Sequence, residues 1–306
     1  MNSKTIADNN PFARVKTRSI VYWFVLAIPL LLILYIVVGT SLDLPGIIAR
    51  QRIDFEDPLF SSILINSFFY LIIIAWLLFY QNRTKLSFSY LWGRRALLTE
   101  YGGLLLLVIP LMLFAFGSTQ IIYYLLYLVS PEVVDGLLSQ ELLLTAKSTA
   151  YPGLYNTIQV IAIVILAPIV EEILFRGVFF HRWGTKWSVR TAVITSSIIF
   201  GCLHFNLLWA SLFGLVMCFA YLKTKSLAVP IAMHFLNNFI ALGISFWFLW
   251  RPNPESTSID ALQSSLGQSA IATLVASIWL IIFCRRHWRL IQKPLPYFAN
   301  RDAALD

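Results

Sequence analysis

Residues 157–180 read TIQVIAIVILAPIVEEILFRGVFF, and the rest of the chain is best understood outward from them. Three of these residues are charged, Glu171, Glu172 and Arg176, and nearly all the others are apolar. A hydrocarbon core about 30 Å thick is crossed by about 20 apolar residues in a helix, so the stretch reads as a membrane span. A charge at the centre of such a helix costs at least about 2.5–3.5 kcal/mol. Three charges kept there call for a function or a partner.

The composition agrees with a membrane chain. Of 306 residues, 58% are hydrophobic and 12% charged, with a mean hydropathy of +0.75. A soluble domain carries about 25% charged residues, so this chain has too little polar surface to stay dispersed in water. Eight apolar runs follow in order, at about 19–40, 60–80, 103–129, 157–180, 191–207, 208–222, 227–250 and 268–284. The expected fold is all-α, a polytopic membrane helical bundle of about eight transmembrane helices. The fifth and sixth runs are short, which predicts tilted or partly re-entrant segments. The three cysteines, Cys202, Cys218 and Cys284, fall in apolar runs, fit no zinc spacing and read as buried filler.

The net charge of +8 is explained by position. With the N-terminus in the cytoplasm, 18 of the 23 Lys and Arg residues fall on the inner side. The outer segments hold Arg50, Arg52, Lys147 and Arg251, and Arg176 lies within a helix. This is the positive-inside asymmetry. It predicts an integral membrane protein, in the inner or plasma membrane if bacterial, with both termini cytoplasmic and membrane lipid as a partner. No basic aromatic face or groove-reading motif is present, so no nucleic-acid partner is expected. The segment PEVVDGLLSQELLL reads as a surface helix, and the tail RRHWRLIQK as an amphipathic segment on the inner interface. Three regions follow: 1–150, about three spans and loops; 151–250, a helical core that holds the unusual polar residues; and 251–306, the last span and a basic tail.

Thirteen of the fifteen acidic residues fall in loops or tails, leaving Glu171 and Glu172 inside a span. Two histidines join them in apolar runs, His204 in FGCLHFN and His234 in AMHFLNNF. His181 and His287 sit among basic flanking residues and read as interfacial or tail residues. At about 1.5 Å per residue, Glu171 is roughly 16 Å from Arg182, His204 roughly 21 Å from Arg190 and His234 roughly 14 Å from Lys225. The three groups thus share one depth near mid-membrane. Glu172 and Arg176 are four apart, so they pair on one face and leave Glu171 about 100° away for other work. His234 and Asn238 are also four apart and can aim donors at one point, with Asn237 as a nearby competitor. Pro168 and Pro230 precede Glu171 and His234 and can free backbone carbonyls.

These residues resemble the CAAX-protease and bacteriocin-processing (CPBP, or Abi) family of intramembrane glutamic endopeptidases, the type II CAAX prenyl protease-like proteins. EEILFR resembles its Glu-Glu-x-x-x-Arg motif. FGCLH (Phe200, His204) resembles Phe-x-x-x-His, and HFLNN (His234, Asn238) resembles His-x-x-x-Asn. The resemblance covers about residues 155–245. It implies Glu171 as the general base acting on water with help from His204, and His234 and Asn238 as oxyanion donors. Glu172, Arg176 and Phe200 would support the site. The implied substrate is a membrane-associated peptide or membrane-anchored protein. No cofactor is required by this scheme; if zinc is used, Glu171, His204 and His234 are its candidate ligands. Without the resemblance, the same polar layer also fits a transporter or proton relay, or a non-catalytic immunity or scaffold protein held by a polar network.

Overall fold

The structure is a computed structural model that describes residues 10–41, 58–94, 98–138, 142–143, 145, 147–149, 151–250 and 259–305. Lys4, Arg50, Arg52, Arg95 and Arg251 of the charge reading lie outside these residues. Among the described residues every regular element is helical. The principal helices are α1 (Ser19–Ser41), α2 (Pro58–Thr84), α3 (Phe88–Trp92), α4 (Leu98–Leu105), α5 (Val108–Tyr127) and α6 (Pro131–Leu138). They are followed by α7 (Pro152–Lys186), α8 (Val189–Cys202), α9 (Leu207–Thr224), α10 (Ala228–Trp250), α11 (Ile259–His287) and α12 (Pro296–Asp302). The protein is an all-α membrane helical bundle.

Five helices among the described residues are long and apolar enough to cross a membrane: Thr99–Tyr127, Pro152–Lys186, Leu207–Thr224, Ala228–Trp247 and Ile259–Gln292. Val189–Cys202 is a shorter apolar helix, and the run 19–40 lies on α1, an apolar helix of 23 residues. The run 60–80 lies on α2. The exterior is apolar where lipid would lie: Leu26, Leu30 and Ile271 are each more than 60% exposed. Such a surface would associate in water and is at home in hydrocarbon.

The chain divides into two compact units. The first comprises 1–86 and 143–170, the second 87–142 and 171–306. In the first, α1 and α2 are joined by neutral polar contacts. Trp76 Nε1 donates to Ser19 Oγ at 2.9 Å, and Ser19 Oγ meets the Tyr80 hydroxyl at 3.0 Å. Tyr80 also accepts the Lys16 N–H at 3.2 Å, and Trp23 packs on Phe79 at 5.6 Å.

The second unit is built on two helix pairs, α5 with α11 and α8 with α9. Helix α9 is its core: Phe213, Met217, Phe219 and Tyr221 are all fully buried. A helix apolar on every side is expected to be enclosed by its neighbours. Ser188 caps α8 by accepting the Thr191 N–H at 3.0 Å, and Asn206 caps α9 by accepting the Trp209 N–H at 3.0 Å. Cys218 and Cys284 are buried, whereas Cys202, at the end of α8, is exposed.

After α11 the chain makes a 3-10 turn, Trp288–Gln292, and then α12, which packs on α3. His181 is fully buried rather than interfacial. Its Nε2 accepts the Tyr297 N–H at 3.1 Å, so the returning tail covers it.

Candidate active site

Helix α7 is not uniformly α-helical. A π-helical stretch, Ile173–Phe179, begins immediately after the glutamate pair. Widened turns of this kind expose carbonyls and recur at functional sites. Here His181 Nδ1 lies 3.0 Å from Arg176 O and 2.8 Å from Gly177 O, and a carbonyl can only accept, so the ring donates.

Glu172 is fully buried and holds the site together. Its Oε1 accepts from Arg176 Nη1 at 2.9 Å and from His234 Nδ1 at 3.0 Å. The expected Glu172–Arg176 pair is therefore present, and it also reaches α10 through His234. Arg176 Nη2 donates to Gly214 O at 3.1 Å, which brings α9 into the same clamp. Gly214 is needed for this approach: a Cβ there would sit 3.0 Å from Ser197 Cα and 3.3 Å from Arg176 Nη2. The guanidinium also lies over the Phe200 ring, 4.7 Å from its centroid, a cation–π contact in a dry setting.

Phe200, fully buried, is the hub between the two histidines. It stacks on His204 at 4.5 Å and meets His234 edge-on at 6.1 Å. His204 is not in mid-helix. It lies in the short turn between α8 and α9, with its Nδ1 donating to Phe200 O at 2.7 Å. A turn at membrane depth must satisfy its own polar groups. Asn206 does this by capping α9 and donating to Ser118 Oγ at 2.7 Å and Thr119 Oγ1 at 2.9 Å.

Glu171 forms no ion pair among the described residues, yet its charge interacts with His234, His204, Glu172 and Arg176. Its Oε2 is buried without a hydrogen-bond partner among the described residues. Asn238 is one turn beyond His234 and accepts from Asn237 Nδ2 at 3.1 Å. The structure thus joins Glu172, Arg176 and His234 by hydrogen bonds and Phe200 and His204 by ring contact. Glu171 interacts with them by charge without a hydrogen bond, and Asn238 neighbours them along α10.

Seven buried side-chain polar atoms lack a partner among the described residues, and five are here: Glu171 Oε2, Glu172 Oε2, Arg176 Nε, Trp209 Nε1 and Asn237 Oδ1. Buried polar groups are nearly always paired, so such a concentration marks a place built to meet polar atoms from outside the chain. Trp209 does not stand out in the sequence, because one tryptophan in an apolar run resembles core. It packs against His204 at 6.3 Å and Phe213 at 5.4 Å. The local signal is Asn206 three residues before it, a helix N-cap that places a turn at His204. Among the described residues no three His, Cys, Asp or Glu side chains are grouped to hold a metal ion.

Residues 153–240 match the family model described as "Type II CAAX prenyl endopeptidase Rce1-like". A stretch of 77 residues is 38% identical to a Bacillus subtilis (strain 168) protein described as "Putative membrane peptidase YdiL". That match covers 24% of this chain and 32% of the relative, so the chain aligns with about a third of that protein. No solved structure matches the chain.

Proposed function

With residues 153–240 identified as an Rce1-like segment, we propose that this integral membrane protein is an endopeptidase that cleaves membrane-associated or membrane-anchored peptides within the bilayer. One observation carries the reading. Glu171 keeps a buried oxygen without a partner among the described residues, and it interacts by charge with two histidines whose Nδ1 atoms are already bonded.

The hydrogen bonds assign the roles. His204 spends its Nδ1 proton on Phe200 O, so its neutral ring presents Nε2 as an acceptor. A water held between Glu171 and His204 attacks the scissile carbonyl carbon and passes a proton to Glu171. The carbonyl π pair moves onto oxygen, giving a tetrahedral oxyanion. His234 donates Nδ1–H to Glu172, so its Nε2 donates to the oxyanion only when the ring carries both protons. Glu172 is the counter-charge that accommodates that form. Asn238 supplies a second donor from its amide. Collapse of the oxyanion breaks the C–N bond, and the proton taken by Glu171 goes to the leaving amine. Preorganised donors of this kind usually contribute more than any other single effect to acyl-transfer catalysis.

The test is cleavage of an amphipathic peptide library by the purified protein in liposomes, read by mass spectrometry. Glu171→Gln and His204→Gln should each lower the rate by about 10²–10⁴-fold, the range for a lost general base. Both variants should insert normally. Unchanged cleavage by Glu171→Gln sinks the proposal.

A further inference from the structure

A cavity of about 540 Å³ shares none of its lining residues with the Glu/His site. Three segments of the second unit build it: Ser89–Arg94, the turn Lys223–Lys225 between α9 and α10, and Ala299–Ala304 around the end of α12. The walls are tied together. Asn300 Nδ2 donates to Tyr90 O at 2.9 Å and Lys225 O at 2.8 Å. The Leu227 N–H donates to Trp92 O at 3.2 Å, and the Tyr221 hydroxyl to Leu91 O at 3.0 Å. Gly93 has φ +73°, and a Cβ there would lie 2.0 Å from Lys225 O, so the close approach of the two loops requires glycine.

The lining is cationic. Arg94, Lys223 and Lys225 are among its lining residues, and no carboxylate is. Arg94 is paired with Glu100. Neither lysine forms an ion pair among the described residues. Asp302, between the lining residues Asn300 and Ala303, is paired with Arg301, and the C-terminus of α9 supplies only about half an elementary charge against two lysines. Lys225 also occupies the left-handed position after α9, with φ +56°. Glycine or asparagine is usual there, because other side chains are strained in that conformation. A lysine is nevertheless kept there, among the lining residues.

The turn joins two membrane-spanning helices, so the cavity lies where helix ends meet lipid headgroups. Trp92 beside it is 46% exposed, the placement of an interfacial anchor. Basic pockets at helix ends are sites for phosphate-bearing headgroups.

We propose that this cavity binds the phosphate of an anionic phospholipid headgroup, held by Lys223 and Lys225. A bound headgroup would bridge the α9–α10 turn, the Ser89–Arg94 loop and α12. The proposal is independent of the peptidase reading.

The test uses the full chain in detergent, with phosphatidylglycerol titrated against phosphatidylcholine and occupancy counted by native mass spectrometry. Lys223→Gln/Lys225→Gln should weaken the apparent Kd for phosphatidylglycerol roughly 30-fold, at about tenfold per 1.4 kcal/mol and about one such step or slightly less per lysine. Arg286→Gln/Arg289→Gln removes the same charge elsewhere and should leave that Kd unchanged. Ala303→Trp fills the cavity without changing charge and should also abolish the selectivity. Equal affinity in the wild type and the lysine variant overturns the proposal. So does an equal loss in the arginine control, or full displacement of the lipid by millimolar inorganic phosphate.

Discussion

The α1–α2 hairpin and the Glu/His site both place polar groups inside an apolar chain, and they treat them in opposite ways. In the hairpin, Ser19, Trp76 and Tyr80 are neutral and bond to one another. None of their atoms is among the buried orphans. In the site, two carboxylates and a guanidinium are used, and each keeps a buried atom without a partner among the described residues. Polar glue closes on itself; a working site leaves valences open. Charge alone does not separate the two cases, because Glu172 and Arg176 act partly as glue. What separates them is the difference between Glu172, whose Oε1 is bonded twice, and Glu171, whose side chain makes no hydrogen bond or ion pair among the described residues.

Substitutions can break or sharpen this contrast. The largest expected effect is on chemistry. Glu171→Gln should cost about 10²–10⁴-fold in kcat while leaving the thermal unfolding midpoint in detergent unchanged, since no protein hydrogen bond is lost. A large fall in stability would show Glu171 to be glue as well. Next comes the clamp. Arg176→Met leaves Glu172 and His234 buried without their cation and should destabilise the fold by about 3–5 kcal/mol. Adding Glu172→Gln to Arg176→Met should restore part of that stability without restoring cleavage. Chemical unfolding curves of the single and double variants read both outcomes.

Gly214→Ala should cost about 1–3 kcal/mol through overpacking against Ser197. It should also lower activity by displacing Arg176, which kinetics and unfolding on one preparation would detect together. The smallest effect belongs to the hairpin. Trp76→Phe removes one neutral hydrogen bond and should cost about 1 kcal/mol with no change in kcat. A loss of activity there would erase the distinction between the two regions.

Much of the site was legible because hydrocarbon penalises charge so strongly. Glu171, Glu172, His204 and His234 stood out against their apolar runs, and i, i+4 spacing paired Glu172 with Arg176. The bond from His234 to Glu172 was not legible, because it joins residues 62 apart in the chain on different helices. The turn at His204 was not legible either, since hydropathy kept it inside the run 191–207 and does not register a turn whose polar groups are satisfied by Asn206 from within. His181 read as interfacial because nothing local reports a tail that returns to cover it.

The sequence by itself determined that this chain is a helical membrane protein with ionisable groups at mid-depth. Hydropathy is a local property, and the cost of charge in lipid leaves few alternatives. Only the tertiary structure decided which residues of the other helices hold the paired carboxylate and its arginine. That choice depends on where His234, Gly214 and Phe200 arrive in space, and helix packing rather than spacing along the chain brings them there.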